Sequence, residues 1–190
     1  MRELSEHILD LVYNCLEAGA RTIEVAVTED THADRLTLSV VDDGRGMEPE
    51  DARKALDPLF TTRTTRRVGL GLSLLAENAR ATGGDVQVCS KPGEGTTVTA
   101  WFQRSHIDRQ PLGDIAATLT VVMAAAPEVD LSYRHEVDGQ VFAFGTRELR
   151  ENLGGNGPRR GGLPVSHPAV VWWAREHIRE GESGLEVAEV

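Results

Sequence analysis

The stretch Leu36-Thr37-Leu38-Ser39-Val40-Val41-Asp42-Asp43-Gly44-Arg45-Gly46-Met47 alternates apolar and polar residues for the length of one strand and then breaks on acids and glycines. Period-two alternation marks a half-buried strand, and the glycines end it while letting another group approach the backbone closely. Ile23, Val25 and Val27 alternate in the same way on the far side of the polar stretch Glu29 to Asp34, so the two runs form a β-hairpin. Ahead of them Leu4, Ile8, Leu11, Val12 and Cys15 recur at helical spacing. That predicts a helix from residue 4 to about 18, closed at Ala18-Gly19-Ala20.

Downstream, Pro49-Glu50-Asp51 opens a short helix through Leu56, and Asp57-Pro58 stops it. Thr61 to Val68 is a polar, arginine-rich loop leading to Gly69-Leu70-Gly71. An apolar-rich helix with Leu72, Leu75 and Ala79 follows and ends at Gly83-Gly84. Val86 to Ser90 and Thr96 to Phe102 read as two more strands joined by Lys91-Pro92-Gly93-Glu94-Gly95. This order of elements lays helices on one face of a mixed or antiparallel sheet, an α/β two-layer sandwich.

Beyond residue 105 the pattern restarts with a helix from about Leu112 to Ala126 and a hairpin, Leu131 to Val137 and Gln140 to Phe144, turning on Asp138-Gly139. Thr146 is placed to cap a helix to Leu153. Gly154 to Gly162 reads as a flexible connector, and Ser166-His167-Pro168 starts a last helix ending near Glu180. The expected organisation is a domain at 1–104, a small helix-hairpin-helix appendix at 105–182 and a frayed tail at 183–190. Of Trp172 and Trp173 on the last helix, one is expected to pack in the core. His106, Asp108 and Arg109 read as a structural loop cluster.

Composition narrows the function. The 190 residues are 40% hydrophobic and 26% charged, as in ordinary folded domains. Twenty Lys and Arg against 30 Asp and Glu leave a net charge of −10, which repels nucleic acid backbone and anionic lipid alike. No apolar run approaches the roughly 20 residues needed to span a bilayer, and the first residues lack a secretory signal, so a cytoplasmic location is expected. Cys15 and Cys89 are too few for a disulfide framework.

Three places carry candidate chemistry. Asp10 and Asn14 lie four apart on one helix face, with His7 and Glu3 extending the polar row. An acid that orients a water beside an amide oxygen that ligates Mg²⁺ suits phosphate chemistry; the same pair also reads as a solvated helix face, and His7 as an exposed or capping imidazole. Asp42 ends a strand before two glycines, where a carboxylate can accept from an exocyclic amine and a flat ring can lie on the backbone; an acidic turn reads equally well. Gly69 and Gly71 precede a helix whose N-terminus can hold an anion, though a turn would look the same. The spacing is not a dinucleotide fingerprint, because Leu74 stands where a third glycine belongs, and neither Lys54 nor Lys91 follows a glycine as a Walker lysine does.

Taken together, these segments resemble the GHKL superfamily of ATP-binding domains, which includes gyrase, the heat-shock chaperone, histidine kinases and mismatch-repair ATPases. Asp10-Leu-Val-Tyr-Asn14-Cys-Leu-Glu17-Ala-Gly-Ala resembles the N box, most closely in its mismatch-repair form. Asp42-Asp-Gly44-Arg-Gly46-Met47 resembles the first glycine box. Asp57-Pro-Leu-Phe60-Thr-Thr-Arg63 with Gly69-Leu70-Gly71-Leu72 resembles the histidine-kinase F box and second glycine box, and Gly93-Glu-Gly95-Thr96-Thr the last.

The resemblance implies a Bergerat-type ATP-binding fold. It implies that Asp42 bonds the adenine amino group, with Gly44, Gly46 and Met47 near the base. Asn14 would ligate Mg²⁺ and Asp10 would stand at the position of the acidic general base. Gly69, Leu70, Gly71 and Leu72 would cradle phosphates, Thr96 would lie on their other side, and Phe60 and Arg63 would belong to the lid. The sequence departs from the pattern at Arg67, where many histidine kinases have a further glycine, and in the short lid with Arg63, Arg66 and Arg67. Nine residues before Asp10 leave no room for a dimerisation domain with a phosphoacceptor histidine, and no transducer domain follows. The expectation is therefore a Mg-ATP-binding regulatory module, an ATPase or protein kinase acting on a separate protein partner, with a homodimer left open. A non-hydrolysing, anti-sigma-like adapter is the alternative, and a DNA-repair ATPase fragment is disfavoured by the negative charge.

Overall fold

The computed structural model describes residues 1–57, 70–154 and 163–185. Helix α1 (Leu4–Glu17) buries Leu4, Ile8, Leu11, Val12 and Cys15, the stripe its spacing predicts. Each such aliphatic side chain removed from water contributes about 1.5–3 kcal/mol, which fixes the helix on the sheet. Strands β1 (Thr22–Asp30) and β2 (Arg35–Asp42) form the expected antiparallel hairpin, pairing Val25 with Val40 and Ile23 with Asp42. Helix α2 (Pro49–Lys54) is short, and α3 (Leu70–Ala81) packs Leu75, Ala76 and Ala79 into the core. Strands β3 (Asp85–Lys91) and β4 (Gly95–Gln103) follow, and β4 pairs antiparallel with both β3 and β2.

The remaining elements are α4 (Ile115–Ala125), β5 (Asp130–Val137), β6 (Gln140–Gly145), α5 (Thr146–Gly154) and α6 (Pro168–Ser183). The hairpin β5–β6 joins the same sheet through β5, which runs parallel to β1, to give the order β3-β4-β2-β1-β5-β6. The sheet thus continues across residue 105. Helices α3, α1, α4 and α6 pack side by side over one face. One apolar core lies beneath them, from Leu75 and Val86 through Ile8 and Val25 to Leu119, Tyr133 and Ile178. The fold is the α/β sandwich expected from the order of elements.

Local chemistry differs from expectation at several points. Thr146 opens α5 but does not cap it by a side-chain bond: its hydroxyl accepts from Leu131 N–H at 2.9 Å and donates to Val129 C=O at 3.3 Å, tying α5 to the start of β5. Asp114 caps α4 instead, accepting from Ala117 N–H at 2.7 Å, and its other oxygen receives Arg175 and Arg179 of α6. Neither tryptophan enters the core: Trp172 is 67% and Trp173 47% exposed, because Val170, Ala174 and Ile178 already fill the buried face of α6. His7, expected at the surface, is buried and meets Gln110 Oε1 at 3.1 Å. The chain after β4 folds back over the start of α1, where Pro111 and Leu112 C=O accept from Leu4 and Ser5 N–H, and so covers it. Burial lowers the pKa of this imidazole.

Candidate functional site

Of the predicted site residues, Asp10, Asn14, Asp42 and Gly71 lie along the half-buried flank of α1. At its C-terminal end lies Asp42, the last residue of β2 and a buried one. Its Oδ1 accepts the Gly44 N–H at 2.8 Å, a two-residue turn that orients the carboxylate. An ionised carboxylate has about four acceptor positions, so it retains capacity for an amine. Cys15 of α1 packs beside it; burial pushes this thiol up, and the neighbouring Asp42 charge adds to the effect.

The glycine loop after Asp42 is held on every side. Asp43 Oδ1 accepts from Thr22 and Arg21 N–H at 2.8 and 2.7 Å, and these bonds keep its carboxyl below the usual range. Arg45 N–H donates to Ala18 C=O, and Gly93 N–H to Arg45 C=O. Met47 N–H donates to Ser90 Oγ at 2.8 Å, while Ser90 donates to Gly95 C=O at 3.0 Å and lies 2.9 Å from Thr96 Oγ1. Gly46 adopts φ +65° and presses on Lys91 C=O so closely that a β-carbon would stand 2.0 Å from it. Only glycine satisfies both demands there.

One turn before Asn14 on the half-buried flank of α1 stands Asp10, against the first turn of α3. A β-carbon on Gly71 would stand 1.6 Å from its Oδ2. The acid of the N box and the backbone of the second glycine box are therefore in contact, although 61 residues separate them in sequence. At Asp10 and Gly71 an acid faces helix-terminal backbone, the combination that suits a phosphate and the water or hydroxyl that attacks it.

Thr96 pairs with Asp42 across the β2–β4 ladder, which places it at the Asp42 end of the α1 flank. Leu72 packs partly against the core. Phe60, Arg63 and Gly69 lie outside the described residues, as do the other lid arginines; Leu70 is described only as the first residue of α3. His106, Asp108 and Arg109 hold their own loop: Asp108 N–H donates to His106 Nδ1, and Arg109 donates to Arg104 C=O and Gln110 C=O. Ser90 was not legible as a site residue, because its role exists only once two hairpins meet; no local signal marks it.

A family model described as "Histidine kinase-, DNA gyrase B-, and HSP90-like ATPase" matches residues 2–106, more than half of the chain. The chain belongs to this family. Among the relatives of this GHKL domain, the sensor histidine kinase ZraS of Escherichia coli K12 is 29% identical over 110 residues, covering 58% of this chain and 23% of the kinase. The sensor protein kinase FleS of Pseudomonas aeruginosa is 41% identical over 92 residues, covering 48% of this chain and 23% of that protein. The chain thus spans less than a quarter of the length of these two kinases. A crystal structure of the N-terminal domain of a DNA repair protein has the same fold, with a TM-score of 0.51 and 16% identity over 75% of this chain and 52% of that one. The GHKL domain is of the histidine-kinase ATPase type. Among the described residues no helix is long and apolar enough to cross a membrane.

Proposed function

We propose that the chain binds Mg-ATP along the flank of α1 and acts on a separate regulatory protein in the cytoplasm, by phosphoryl transfer or by hydrolysis-driven signalling. The observation that carries this reading is the pair of carboxylates at the two ends of one helix face, Asp42 buried behind Cys15 and Asp10 on Gly71. Asp42 accepts the exocyclic amine of adenine, with Gly46 and Met47 forming the wall on which the base lies. The first turn of α3, from Leu70 and Gly71, receives phosphate oxygens.

The donor set fits Mg²⁺, which takes oxygen ligands and completes its octahedron with water and phosphate: Asn14 offers an amide oxygen on the same half-buried flank as Asp10. The ion supplies charge neutralisation on the phosphates when bound. Asp10 takes the proton of the attacking water or hydroxyl, and its approach to Gly71 sets it beside the anion site. Arg63 and Phe60 would close over the nucleotide from the lid.

Calorimetry tests this reading. ATP binding that requires Mg²⁺ and is lost in Asp42→Ala is expected; undiminished binding in that variant overturns the assignment. Turnover of γ-labelled ATP that falls sharply in Asp10→Asn while affinity is kept establishes the ATPase or kinase. Binding without product in the wild type points to the non-hydrolysing adapter. Stimulation of hydrolysis by DNA would restore the DNA-repair reading.

A further inference from the structure

The two edges of the sheet are finished differently. β3 carries Asp85 at one end and Lys91 at the other, Arg80 donates to Asp85 at 2.9 Å, and α2 packs beside the strand. Charges and a covering element are how proteins keep an open edge from pairing with another chain. β6, with the sequence Gln140-Val141-Phe142-Ala143-Phe144-Gly145, has no such charges, and among the described residues no strand pairs with its outer side. Val141 is 47% exposed and Ala143 is exposed.

Helix α6 flanks this edge with aromatic surface. Phe142 packs so tightly against α6 that a β-carbon on Gly181 would overlap its ring at 2.0 Å. The His177 ring lies 5.8 Å from Phe142, and Trp173 stacks on His177 at 4.9 Å with an interplanar angle of 8°. The exposed indole of Trp173 thus continues the apolar surface of β6.

We propose that β6 is a homodimer interface, in which two copies pair β6 with β6 antiparallel about a two-fold axis at Ala143 and join two six-stranded sheets into one. Self-complementarity favours a second copy. Facing residues of an antiparallel pair must point to the same side of the sheet, so a two-fold on this strand centres on either Phe142 or Ala143. The Ala143 register sets Phe142 against the other copy's Phe144 on the helix side. On the open side Val141 meets Gly145 and Ala143 meets itself, a large residue against none and a small one against small. From Val141 to Gly145 every facing pair is apolar and Gln140 falls opposite the polar Thr146 at the start of α5, whereas the Phe142 register would oppose Gln140 to Phe144.

The adjacent open-side charges on β5, Arg134 and Glu136, pair with each other at 2.8 Å, and β6 itself carries none. A short strand pair alone buries less than the roughly 800 Å² per partner of a stable interface, so the dimer also needs the remaining exposed face of Trp173, which is 47% exposed beside His177.

Light scattering on the full chain reads the result. Wild type is expected at twice its 20.7 kDa mass. Ala143→Lys and Ala143→Glu each set a charge against itself across the two-fold axis and are expected at the monomer mass, with unchanged melting because Ala143 is exposed. Mixing the two variants opposes Lys to Glu and should restore the dimer. A wild type that is monomeric across the concentration range, as a strand-binding site for a foreign peptide would give, overturns the proposal; so does dimeric Ala143→Lys or a mixture that stays monomeric. If the Ala143 variants do not fold, Trp173→Ala serves: the dimer dissociation constant should rise roughly tenfold or more, and an unchanged constant counts against the interface.

Discussion

The carboxylate of Asp10 and the backbone of Gly71 touch across the α1–α3 contact: a β-carbon on Gly71 would lie 1.6 Å from Oδ2 and 2.5 Å from Cγ, but 3.3 Å from Cβ of Asp10. The acid expected to handle the proton and the glycine expected to face phosphate thus form one unit, and the helices cannot be repacked without altering both.

Gly71→Ala should displace the Asp10 carboxylate from α3, at a cost of up to about 1 kcal/mol, and weaken ATP binding. In an Asp10→Ala background the same change meets only the β-carbon, and alanine's better helix propensity, worth up to about 1 kcal/mol over glycine, should make it neutral or stabilising. A double-mutant cycle on thermal stability measures the coupling; additive effects would refute the contact.

Ser90→Ala removes the hydroxyl shared by Met47 N–H, Gly95 C=O and Thr96. The expected result is a loss of about 1–2 kcal/mol in stability and weaker ATP affinity, since the loop that would carry the base then loses its tie to β3 at Met47. Denaturant unfolding and calorimetry separate the two effects, and unchanged ATP affinity would show that the loop stays in place without Ser90.

His135 couples stability to pH. Its ring nitrogens lie 3.4 Å from Glu29 and Glu182, at ion-pair distance although off hydrogen-bond alignment, and Tyr133 donates to Glu182 at 2.6 Å. Burial opposes the imidazolium, but the two carboxylates outweigh it and raise the pKa to about 9. A raised pKa stabilises fully below the unfolded value near 6.5 and is lost as pH passes 9. Stability should fall by on the order of 2–3 kcal/mol between those values, and His135→Gln should abolish that slope in melts taken across the range.

Asp114 behaves oppositely. Burial works against its charge, but Ala117 N–H, Arg179 and Arg175 overcome that and depress its pKa to about 2. Its contribution is present above the ordinary carboxylate range near 4 and disappears as pH falls through 2. Asp114→Ala should cost about 1 kcal/mol from the lost cap of α4 and loosen α6, which hydrogen exchange of the two helices would reveal.

Much of the fold was legible because it is written in local periodicity. The core stripe of α1, the alternation of β1 and β2, the glycines around Asp42 and the Asp-Gly turn between β5 and β6 each follow from side chains a few residues apart. The candidate acids were legible for the same reason, as Asp10 and Asn14 share a helix face and Asp42 ends a strand. Hidden were Thr96 beside Asp42, Ser90 under the glycine loop and the burial of His7, each of which depends on a partner 43 to 103 residues away.

By itself the sequence determined the inward apolar stripes of α1, β1 and β2, because hydrophobic spacing of 2 or 3.6 residues admits few alternatives. Only the tertiary structure decided that β5 would lie parallel to β1, that His135 would sit between two carboxylates and that both tryptophans would remain outside. A parallel pair carries no turn to announce it, and a side chain's burial is settled by whichever distant element reaches it first.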